Sequence, residues 1–598
     1  MPWRLPGEVT DRSVMLYMTG AVCTQPAQVL QTDLAVQVVQ NFINRLRERE
    51  SRHLAVFADL ETEGDRDNPS PAAETLARLL ALLCDMSWKD ACLRAPDCAG
   101  LIEDPLALAE LVEELYNHWR HYERYMIFEG SADDSRDSAI EGHMPFIYNN
   151  QDLNHLIRQA YRNIERNLRG AWPRVYRQTS AGANMSLLVE QIDWASPGPL
   201  YDHLKEIRMV RLALMVPPVI LYPRRNYRRG AFVRVDTNPL ERWQVPSFKW
   251  YCVPIRVGEL NFHVYFEQEF LAMGVSLTNL FELAGHDEAR QKPDGIVVFG
   301  VPPEATGGEP TVFYIDEEAD VVVGAVVGSE EVDYFGYFKK MVLTLHNVIV
   351  MRRGRLPVHG AMASLRLRGG RRLNLVLVGD SGAGKSETLE AFRVLADEWV
   401  SDMTIVFDDM GSLALDEEGR LVGYGTEIGA FVRLDDIGPD YAFGNFDRGI
   451  FMNPHQRNAR LVLPITVYRY VIAGHRVDAL MYANNYEPVE ESVPVIEDFA
   501  SPQDALKVFR AGLRAAKGTT DERGLVHSYF ANPFGPEQLR DLHEELAERY
   551  FTAAFATGVE VGQVRTQLGV PGRETTGPRQ AAEALFARWV KGEGQAKA

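Results

Sequence analysis

The feature that most constrains the fold of this 598-residue chain is a glycine-rich loop between an apolar run and a helical pattern. The stretch LNLVLVGDSGAGKS, residues 373–386, matches the pattern G-x-x-x-x-G-K-[ST] from Gly379 to Ser386. The apolar letters predict a buried strand, and the following ETLEAFRVLADEW predicts a helix. Small residues at such a turn let backbone N–H groups converge on phosphate oxygens at the positive end of the helix. The sequence therefore predicts a phosphate-binding loop in an α/β fold.

Two residues at the end of the loop are expected to handle the nucleotide directly. Lys385 is predicted to reach the β- and γ-phosphates, and the hydroxyl of Ser386 is predicted to bind the accompanying metal ion. The other loop residues are predicted to present backbone N–H groups to the phosphates. The predicted nucleotide-binding residues of the loop are Gly379, Asp380, Ser381, Gly382, Ala383, Gly384, Lys385 and Ser386.

Composition and charge narrow the class of protein. Hydrophobic residues make up 46% and charged residues 24% of the chain, as in ordinary globular proteins. The net charge of −20 argues against a general nucleic-acid-binding or anionic-membrane-binding surface, so a phosphate site must be a local basic pocket. The five cysteines form no C-x-x-C pair, which argues against a disulfide framework or a cysteine zinc site. We expect a cytoplasmic protein, since we find no signal-peptide pattern and no apolar run long enough to span a bilayer.

The predicted secondary structure changes near residue 200. The residues before it predict a mostly helical region, and the residues after it are rich in strand patterns. Amphipathic helices are predicted at 29–46, 72–83, 105–127, 153–168, 536–550 and 580–590. Strands are predicted at 210–222, 231–236, 249–257, 295–301, 404–407, 461–472 and 477–483, with a hairpin at 311–316 and 320–328. At this length two or three domains are expected.

Two charged clusters outside the loop are candidates for function. The predicted strand at 404–407 ends in Asp408 and Asp409, and carboxylates at the end of a buried strand beside a phosphate loop suit a metal that bridges phosphates. The second cluster is an arginine-rich segment, which is either an anion-binding wall or the solvated edge of a strand. Its arginines, which fall within eleven positions, are Arg224, Arg225, Arg228, Arg229 and Arg234.

Several segments in a fixed order resemble the core of ATP-dependent phosphoenolpyruvate carboxykinase. The first is YFGYFKK at 334–340, which precedes LPVHGA, GDSGAGKS and FDD, with His359 nineteen positions after Lys340. YGTEIGAFVRL, RNARLVLPI, GTTDERG and SYFANPF resemble later segments of that family. The resemblance covers roughly residues 200 to 560 and leaves the N-terminal helical region unexplained.

The resemblance implies a metal site and a nucleotide-bound magnesium ion. Lys340, His359 and Asp409 would bind a transition metal, Mn²⁺, and Ser386 would bind the Mg²⁺ that accompanies ATP. Lys340 must be a neutral amine to bind a metal, so its pKa must be depressed by the metal and by the neighbouring Lys339.

The resemblance also implies roles for side chains around the phosphates. Tyr334 would lie beside the substrate, and Arg460 would stabilise charge on the transferring phosphoryl group. Glu427 would lie near the phosphates, and Arg523 would contact the nucleotide. The residues implied as catalytic are Lys385, Arg460, Asp408, Tyr334 and Lys339.

Two departures from that family leave the phosphoryl acceptor open. The family grips the substrate carboxylate with an arginine-containing segment of the form TGRSPKDK, which we do not find here, and the arginines of 224–234 are candidate stand-ins. The loop GDSGAGKSE, with Glu387 after the Lys-Ser pair, and the dipeptide His359-Gly360 resemble the HPr kinase branch of the same superfamily. HPr kinases phosphorylate a protein serine with an aspartate as base, for which Asp408 or Asp409 would serve.

Three functions therefore stay open. The first is a carboxykinase that converts oxaloacetate and ATP into phosphoenolpyruvate, ADP and carbon dioxide. The second is a kinase of a protein serine or a small-molecule hydroxyl, and the third is a nucleotide-binding regulatory protein. The implied fold is a phosphoenolpyruvate carboxykinase-like P-loop kinase fold of the α/β class, with mixed sheets in two lobes. Its implied regions are the helical 1–200, a substrate-side lobe at 201–330, a nucleotide- and metal-binding catalytic lobe at 331–560 and a helical tail at 561–598.

Overall fold

The computed structural model describes most of the chain. The described residues are 6–18, 23–130, 138–171, 179–230, 232–367, 370–380, 382–434, 447–516 and 524–591. They form an α/β protein with mixed sheets, which confirms the predicted class. The chain divides into two compact units, Met1–Gln191 with Val210–Val219 and Ile192–Met209 with Ile220–Ala598. The boundary between Gln191 and Ile192 lies near residue 200, where the sequence pattern changes from mostly helical to rich in strands.

The first unit combines a mostly parallel sheet with helices. Its strands are β1 (Gly7–Val9), β2 (Ser13–Met18), β3 (Glu123–Glu129), β4 (Met185–Glu190) and β5 (Arg208–Met215), the last belonging to this unit from Val210 onward. Its helices are α1 (Pro26–Leu30), α2 (Asp33–Glu48), α3 (Pro71–Leu83), α4 (Trp88–Arg94), α5 (Pro105–His121) and α6 (Ser138–Arg169). The strand order is β1-β2-β3-β4-β5, with β2, β3 and β4 parallel. Apolar helix faces form a core around Ile43, Leu76 and Leu111.

Two predicted helices of this unit were wrong in their extent. The pattern at 105–127 predicts one helix, but α5 ends at His121 and β3 follows. The buried guanidinium of Arg124 ends the helix, because its Nη1 donates to two of the last carbonyls of α5 at 2.7 and 2.9 Å. The predicted helix at 29–46 is interrupted, because the hydroxyl of Thr32 caps the start of α2.

The second unit begins with another mixed sheet. The strands of this part are β6 (Val219–Leu221), β7 (Val233–Arg234), β8 (Trp250–Val257), β9 (Leu260–Glu267), β10 (Glu282–Leu283), β11 (Gly295–Val301), β12 (Thr311–Asp316) and β13 (Val321–Val327). Its helices are α7 (Pro239–Arg242), α8 (Leu271–Ser276), α9 (His286–Ala289) and α10 (Pro303–Thr306). The order is β8-β9-β11-β13-β12-β7, with β10 paired to β8 and the first two residues of β5 paired to β8. The predicted hairpin at 311–328 is confirmed as β12 and β13, whereas the predicted strand at 210–222 was wrong in being continuous, since Pro217 and Pro218 separate β5 from β6.

The rest of the second unit contains the glycine loop. Its helices are α11 (Phe335–Arg352), α12 (Lys385–Trp399), α13 (Tyr468–Val471), α14 (Pro502–Ala511), α15 (Arg540–Ala556) and α16 (Thr576–Lys591). Its strands are β14 (Leu356–Leu367), β15 (Arg372–Val378), β16 (Val400–Leu415), β17 (Leu421–Gly425), β18 (Gly429–Arg433), β19 (Ile450–Met452), β20 (Arg460–Pro464), β21 (His475–Arg476), β22 (Ala479–Asn484), β23 (Ile496–Asp498), β24 (Leu513–Ala515), β25 (Leu525–His527) and β26 (Glu560–Arg565).

The glycine loop follows an interior strand of the main sheet in this part. The strand order is β21-β17-β16-β14-β15-β22-β26-β23, and β15 leads through the loop into α12, in the strand-loop-helix order that the sequence predicts. Two smaller sheets have the orders β18-β20-β19-β6 and β24-β25. The predicted domain boundary at 330 falls between β13 and α11, inside the second unit.

Three predicted elements of this part were wrong in their extent. The strand predicted at 404–407 belongs to β16, which runs on through Asp408 and Asp409, because its antiparallel pairing with β14 continues past both residues. The strand predicted at 461–472 ends at Pro464, and α13 follows. The tail at 561–598 was predicted as helical, but it begins inside β26, which lies between β22 and β23.

A close backbone approach after α14 gives a test of the packing around the site. Gly512 has a left-handed φ of +51°, and a Cβ atom there would clash with the carbonyl oxygen of Ser528. We expect Gly512→Ala to lower the free energy of unfolding by about 3 kcal/mol, from left-handed strain and overpacking together. Gly558, with φ +76° and open space around its Cβ direction, is the matched control, and Gly558→Ala should cost only about 1 kcal/mol. Urea unfolding followed by circular dichroism measures both, and equal losses would contradict the close approach.

Candidate active site

A cleft of about 1430 Å³ opens beside the glycine loop in the second unit. Its described lining carries ten Lys and Arg residues against six Asp and Glu residues, whereas the whole chain has a net charge of −20. A basic cleft in an acidic protein concentrates anions at one place. This agrees with the expectation of a local basic pocket.

The loop itself depends on two glycines in left-handed conformations. Gly382 has φ +78° and Gly384 has φ +86°. A Cβ atom on Gly384 would also meet the side chain of Thr566 at 2.6 Å. The hydroxyl of Thr566 donates to the carbonyl of Ala383 at 2.7 Å, so the residue that follows β26 supports the loop. The path of the loop is therefore set by residue choice at these positions.

Lys385 and Ser386 open α12 at the mouth of the loop. The amine of Lys385 donates to the carbonyls of Gly379 at 2.6 Å and Asp380 at 3.0 Å, and burial lowers its pKa. The hydroxyl of Ser386 donates to Oδ1 of Asp408 at 2.9 Å. Burial raises the pKa of Asp408, against the opposing effects of that hydrogen bond and of Lys385. The structure thus brings the predicted phosphate-binding lysine, the predicted magnesium-binding serine and one predicted carboxylate together.

The second carboxylate, Asp409, contacts the nitrogen atoms of three side chains. Its Oδ2 lies 2.7 Å from Nζ of Lys339 and 2.6 Å from Nζ of Lys340, both on α11, and its Oδ1 lies 2.9 Å from Nε2 of His359 on β14. Burial opposes the ionisation of Asp409, but the two lysines outweigh it and hold its pKa well below the usual range. Burial, with help from Lys339, lowers the pKa of Lys340 to about 8. The predicted trio of Lys340, His359 and Asp409 is therefore in contact.

His359 shows why a cation suits this cluster. Its Nδ1 lies 2.6 Å from the carbonyl oxygen of Ala531, and its Nε2 faces Asp409. Burial and the charge of Lys340 lower the pKa of His359, which favours the neutral ring with one proton, and both ring nitrogens face oxygen acceptors. With the proton on Nδ1, that nitrogen donates to the carbonyl of Ala531, and Nε2 and Oδ1 of Asp409 face each other as two acceptors. A divalent cation bound between them would remove this repulsion. A metal-ligating histidine usually donates its other ring N–H to a carbonyl in this way.

The donor set is small and includes an amine. Among the described residues no group of three or more His, Cys, Asp and Glu side chains is placed to hold a metal. A cation on His359 and Asp409 would therefore take Lys340 as its third protein ligand, and a pKa of about 8 makes the neutral amine accessible. The residues present fit the predicted site for Mn²⁺.

Backbone strain positions the carbonyl that meets His359. Phe530 and Ala531 both have a φ of +52°, which residues with a side chain rarely adopt. Strain of this kind is kept where surrounding contacts fix it, and it is common at functional sites. The segment SYFANPF, singled out in the sequence, thus contributes to the cluster through its backbone.

Glu427, which the resemblance implies to lie near the phosphates, is buried beside Lys339. Its side chain is 1% exposed, and its Oε1 lies 3.7 Å from Nζ of Lys339. Burial raises the pKa of Glu427 to about 7, although Lys339 opposes the rise. Burial also disfavours the charge of Lys339, but Asp409 and Glu427 outweigh it and raise the pKa of Lys339. Lys339 is thus the charged lysine of the pair.

The predicted catalytic residues Tyr334 and Arg460 both line the cleft. The ring of Tyr334 lies 5.9 Å from that of Phe431, and the guanidinium of Arg460 lies 5.4 Å from the same ring. Nη2 of Arg460 donates to Oδ1 of Asn458 at 2.9 Å. Glu387 lines the cleft as well, whereas Ser381 and Arg523 lie outside the described residues.

The arginine cluster of 224–234 splits between the two uses considered for it. Arg228 and Arg229 line the cleft, and the guanidinium of Arg228 lies 5.1 Å from the ring of Phe534. Arg224 instead pairs with Glu330, and Arg234 lies on an exposed part of β7. The density of arginines in the sequence could not show which members face the cleft.

Sequence reasoning missed two supports of the loop. Nε of Arg514 donates to Oδ2 of Asp380 at 2.8 Å, and Nδ2 of Asn485 donates to the carbonyl of Gly382 at 2.8 Å. Asn485 directly follows β22 and Arg514 lies in β24, each more than a hundred positions from the loop residue that it contacts. Neither residue belongs to a sequence motif that predicts the contact.

No family model matches this chain, and no match is found among curated proteins. Within the described part of the chain, no helix is both long enough and apolar enough to cross a membrane.

The sharing of Asp409 by two buried lysines predicts a large stability effect. Asp409→Asn should lower the free energy of unfolding by about 3 kcal/mol, because it leaves ammonium groups buried without their counter-ion. Asp408→Asn is the matched control on the same strand, with an expected loss of about 1 kcal/mol, since its partner is a neutral hydroxyl. Adding Lys340→Met to Asp409→Asn should recover part of the loss. Urea unfolding measures these values, and equal effects of the two aspartates would contradict the charge cluster.

Proposed function

We propose that the second unit catalyses ATP- and divalent-metal-dependent phosphoryl transfer, and that it does so in the manner of a phosphoenolpyruvate carboxykinase on a carboxykinase-like P-loop kinase fold. The reaction would convert oxaloacetate and ATP into phosphoenolpyruvate, ADP and carbon dioxide. The observation that carries the proposal is the convergence of Lys340 and His359 on Asp409 beside the Lys385 and Ser386 of the glycine loop.

The chain's own residues divide the work between them. A divalent cation on Lys340, His359 and Asp409 would act as a Lewis acid that stabilises negative charge on an enolate oxygen. Lys385 would leave its loop carbonyls to neutralise the β- and γ-phosphates, and Arg460 would offset charge on the transferring group. The cleft would hold the two anionic reactants together and limit access of water.

A specific observation also favours a second candidate, a kinase of a protein or small-molecule hydroxyl. Asp408 lies at the mouth of the loop, and burial raises its pKa. A carboxylate of raised pKa is a better proton acceptor for an attacking hydroxyl. The two candidates share the nucleotide site and differ in the acceptor.

Phosphorus NMR on the protein with ATP, Mg²⁺ and Mn²⁺, with and without oxaloacetate, tests the reaction. We expect phosphoenolpyruvate only with oxaloacetate, and we expect Lys385→Ala to reduce turnover by at least about 100-fold, since it removes the charge facing the phosphates. His359→Ala should mainly remove the dependence on Mn²⁺. Lys507→Ala, at an exposed lysine of α14, is the matched control and should retain turnover.

Two results of this experiment would change the proposal. Full activity of Lys385→Ala would refute a nucleotide role for the loop. ATP binding without phosphoenolpyruvate formation would refute the carboxykinase and favour the hydroxyl kinase, which is then tested by phosphate transfer to serine peptides and small alcohols.

The affinity for Mn²⁺ should depend on pH through Lys340. Below a pH of about 8 the amine is protonated and repels the cation, so apparent affinity should rise by up to about tenfold per pH unit and level off above that value. His359 adds little to the slope near neutral pH, because its pKa is lowered. Electron paramagnetic resonance of free Mn²⁺ between about pH 6.5 and 9 measures the affinity. Lys340→Met should bind more weakly and without this slope, and an unchanged slope in that variant would exclude Lys340 as the titrating ligand.

A further inference from the structure

The glycine loop carries a buried acid at a place where a phosphate-binding loop would gain nothing from negative charge. Asp380 is 7% exposed and directly follows Gly379, at the turn from β15 into the loop. A carboxylate here would repel the phosphates that the loop is proposed to bind. Either the loop binds no anion or the charge of Asp380 is neutralised.

Arg514 supplies the neutralising charge. Its Nε donates to Oδ2 of Asp380 at 2.8 Å, and the two side chains are only 5% and 9% exposed. Charge-assisted hydrogen bonds at such burial are much less screened than surface ion pairs. The pair therefore removes most of the negative field of Asp380 from the phosphate side.

Arg514 is held in place by contacts of its own strand with the loop. Asn485 bridges the two, because its Nδ2 donates to the carbonyls of Gly382 at 2.8 Å and Ala515 at 3.0 Å, and its Oδ1 accepts from the N–H of Ala515 at 2.8 Å. The residue after Arg514 is thus fixed to the same loop as Asp380. This double attachment makes the ion pair a fixed part of the loop.

The other oxygen of Asp380 faces the imidazole that contacts Asp409. Oδ1 of Asp380 lies 3.5 Å from Nδ1 of His359. The same ring nitrogen lies 2.6 Å from the carbonyl of Ala531. Asp380 is therefore a neighbour of both the loop and the proposed metal ligand, which gives a reason for an acid at this position.

We propose that Asp380 and Arg514 form a charge-compensated positioning pair. Asp380 fixes the glycine loop against β24 and against His359, and Arg514 neutralises that carboxylate so that the loop accepts a polyphosphate. Arg514 acts through Asp380 and does not contact the phosphates. The inference rests on the proposed nucleotide role of the loop.

The test measures the binding of ATP and of inorganic tripolyphosphate by isothermal titration calorimetry. The proteins are the wild type, Arg514→Gln, Arg514→Lys, Asp380→Asn and the double variant Asp380→Asn/Arg514→Gln. Arg510→Gln is the matched control, because Arg510 pairs with Glu544 and Glu548 on α15. Thermal unfolding of each protein shows whether it is folded.

The proposed pair predicts a specific order of ATP and tripolyphosphate affinities among these variants. Arg514→Gln should bind both ligands at least about tenfold more weakly, because it leaves a buried carboxylate facing the phosphates. The double variant should return to within about threefold of the wild type, and Asp380→Asn should bind more tightly than the wild type, since it leaves the positive charge of Arg514 without its buried counter-charge beside the phosphates. Arg514→Lys should keep most of the affinity. Asp380→Asn alone separates the charge effect from a merely structural one, because loss of a purely structural pair would weaken binding in that variant, whereas loss of the carboxylate charge strengthens it.

Several results would refute the inference, and each can be told from the others. If the double variant binds as weakly as Arg514→Gln, Arg514 contacts the phosphates itself and the inference is wrong. Wild-type affinity in Arg514→Gln also refutes it. Should Arg514→Gln fail to fold, the double variant is compared with Asp380→Asn, and a further tenfold loss there again overturns the pair. If the wild type binds neither ATP nor tripolyphosphate, the proposed nucleotide role of the loop is wrong, and the inference is refuted with it. That result differs from a failure of the pair alone, in which the wild type binds and the variants do not follow the expected order.

Discussion

The carboxylate of Asp409 is the group on which the rest of the site depends. It is shared by the amines of two lysines and an imidazole within 2.9 Å, and its side chain is only 13% exposed. Without this anion the adjacent lysines of α11 would repel each other across a buried space. Burial, helped by the charge of Lys339, lowers the pKa of Lys340, while Asp409 and Glu427 outweigh burial and raise the pKa of Lys339. A lysine that gives up its proton near neutral pH is the group that a metal ligand or an acid-base catalyst requires.

The register of three neighbouring strands places this chemistry. β14, β15 and β16 are adjacent, so His359, the glycine loop and the two aspartates meet at one part of the sheet. Gly360 pairs with Asp409 and Ala361 with Asp408, and a shift of one residue would exchange the surroundings of the aspartates. Consecutive side chains of a strand point to opposite faces, which is why Asp408 meets Ser386 and Asp409 meets the lysines.

Local features of the site could be predicted from the sequence, and long-range ones could not. The loop, its strand and its helix were predictable, because the strand run, the small residues and the helical period are contiguous in the chain. The contact of Lys340, His359 and Asp409 was expected only from a resemblance, and the structure brings the three together. The continuation of β16 past Asp409 depends on pairing with β14, the end of α5 depends on a buried guanidinium that caps it, and Arg514 reaches Asp380 from 134 positions away. None of these three features is marked by a hydrophobic period or a sequence motif in its own segment, so the sequence could not predict them.

The adjacent aspartates also explain why one site supports two candidate reactions. The carboxykinase reaction needs the surroundings of Asp409, where nitrogen and oxygen donors suit a cation that stabilises an enolate. The hydroxyl kinase reaction needs the surroundings of Asp408, where a carboxylate of raised pKa lies beside the first turn of α12. Because the strand directs the two side chains to different neighbours, a single backbone segment would serve either proposed reaction without a change in the glycine loop. Arg228 and Phe534 line the same cleft, and under the proposed function an acceptor bound beside them would select the aspartate that takes part, since only a substrate that reaches the Asp409 cluster could use its donors.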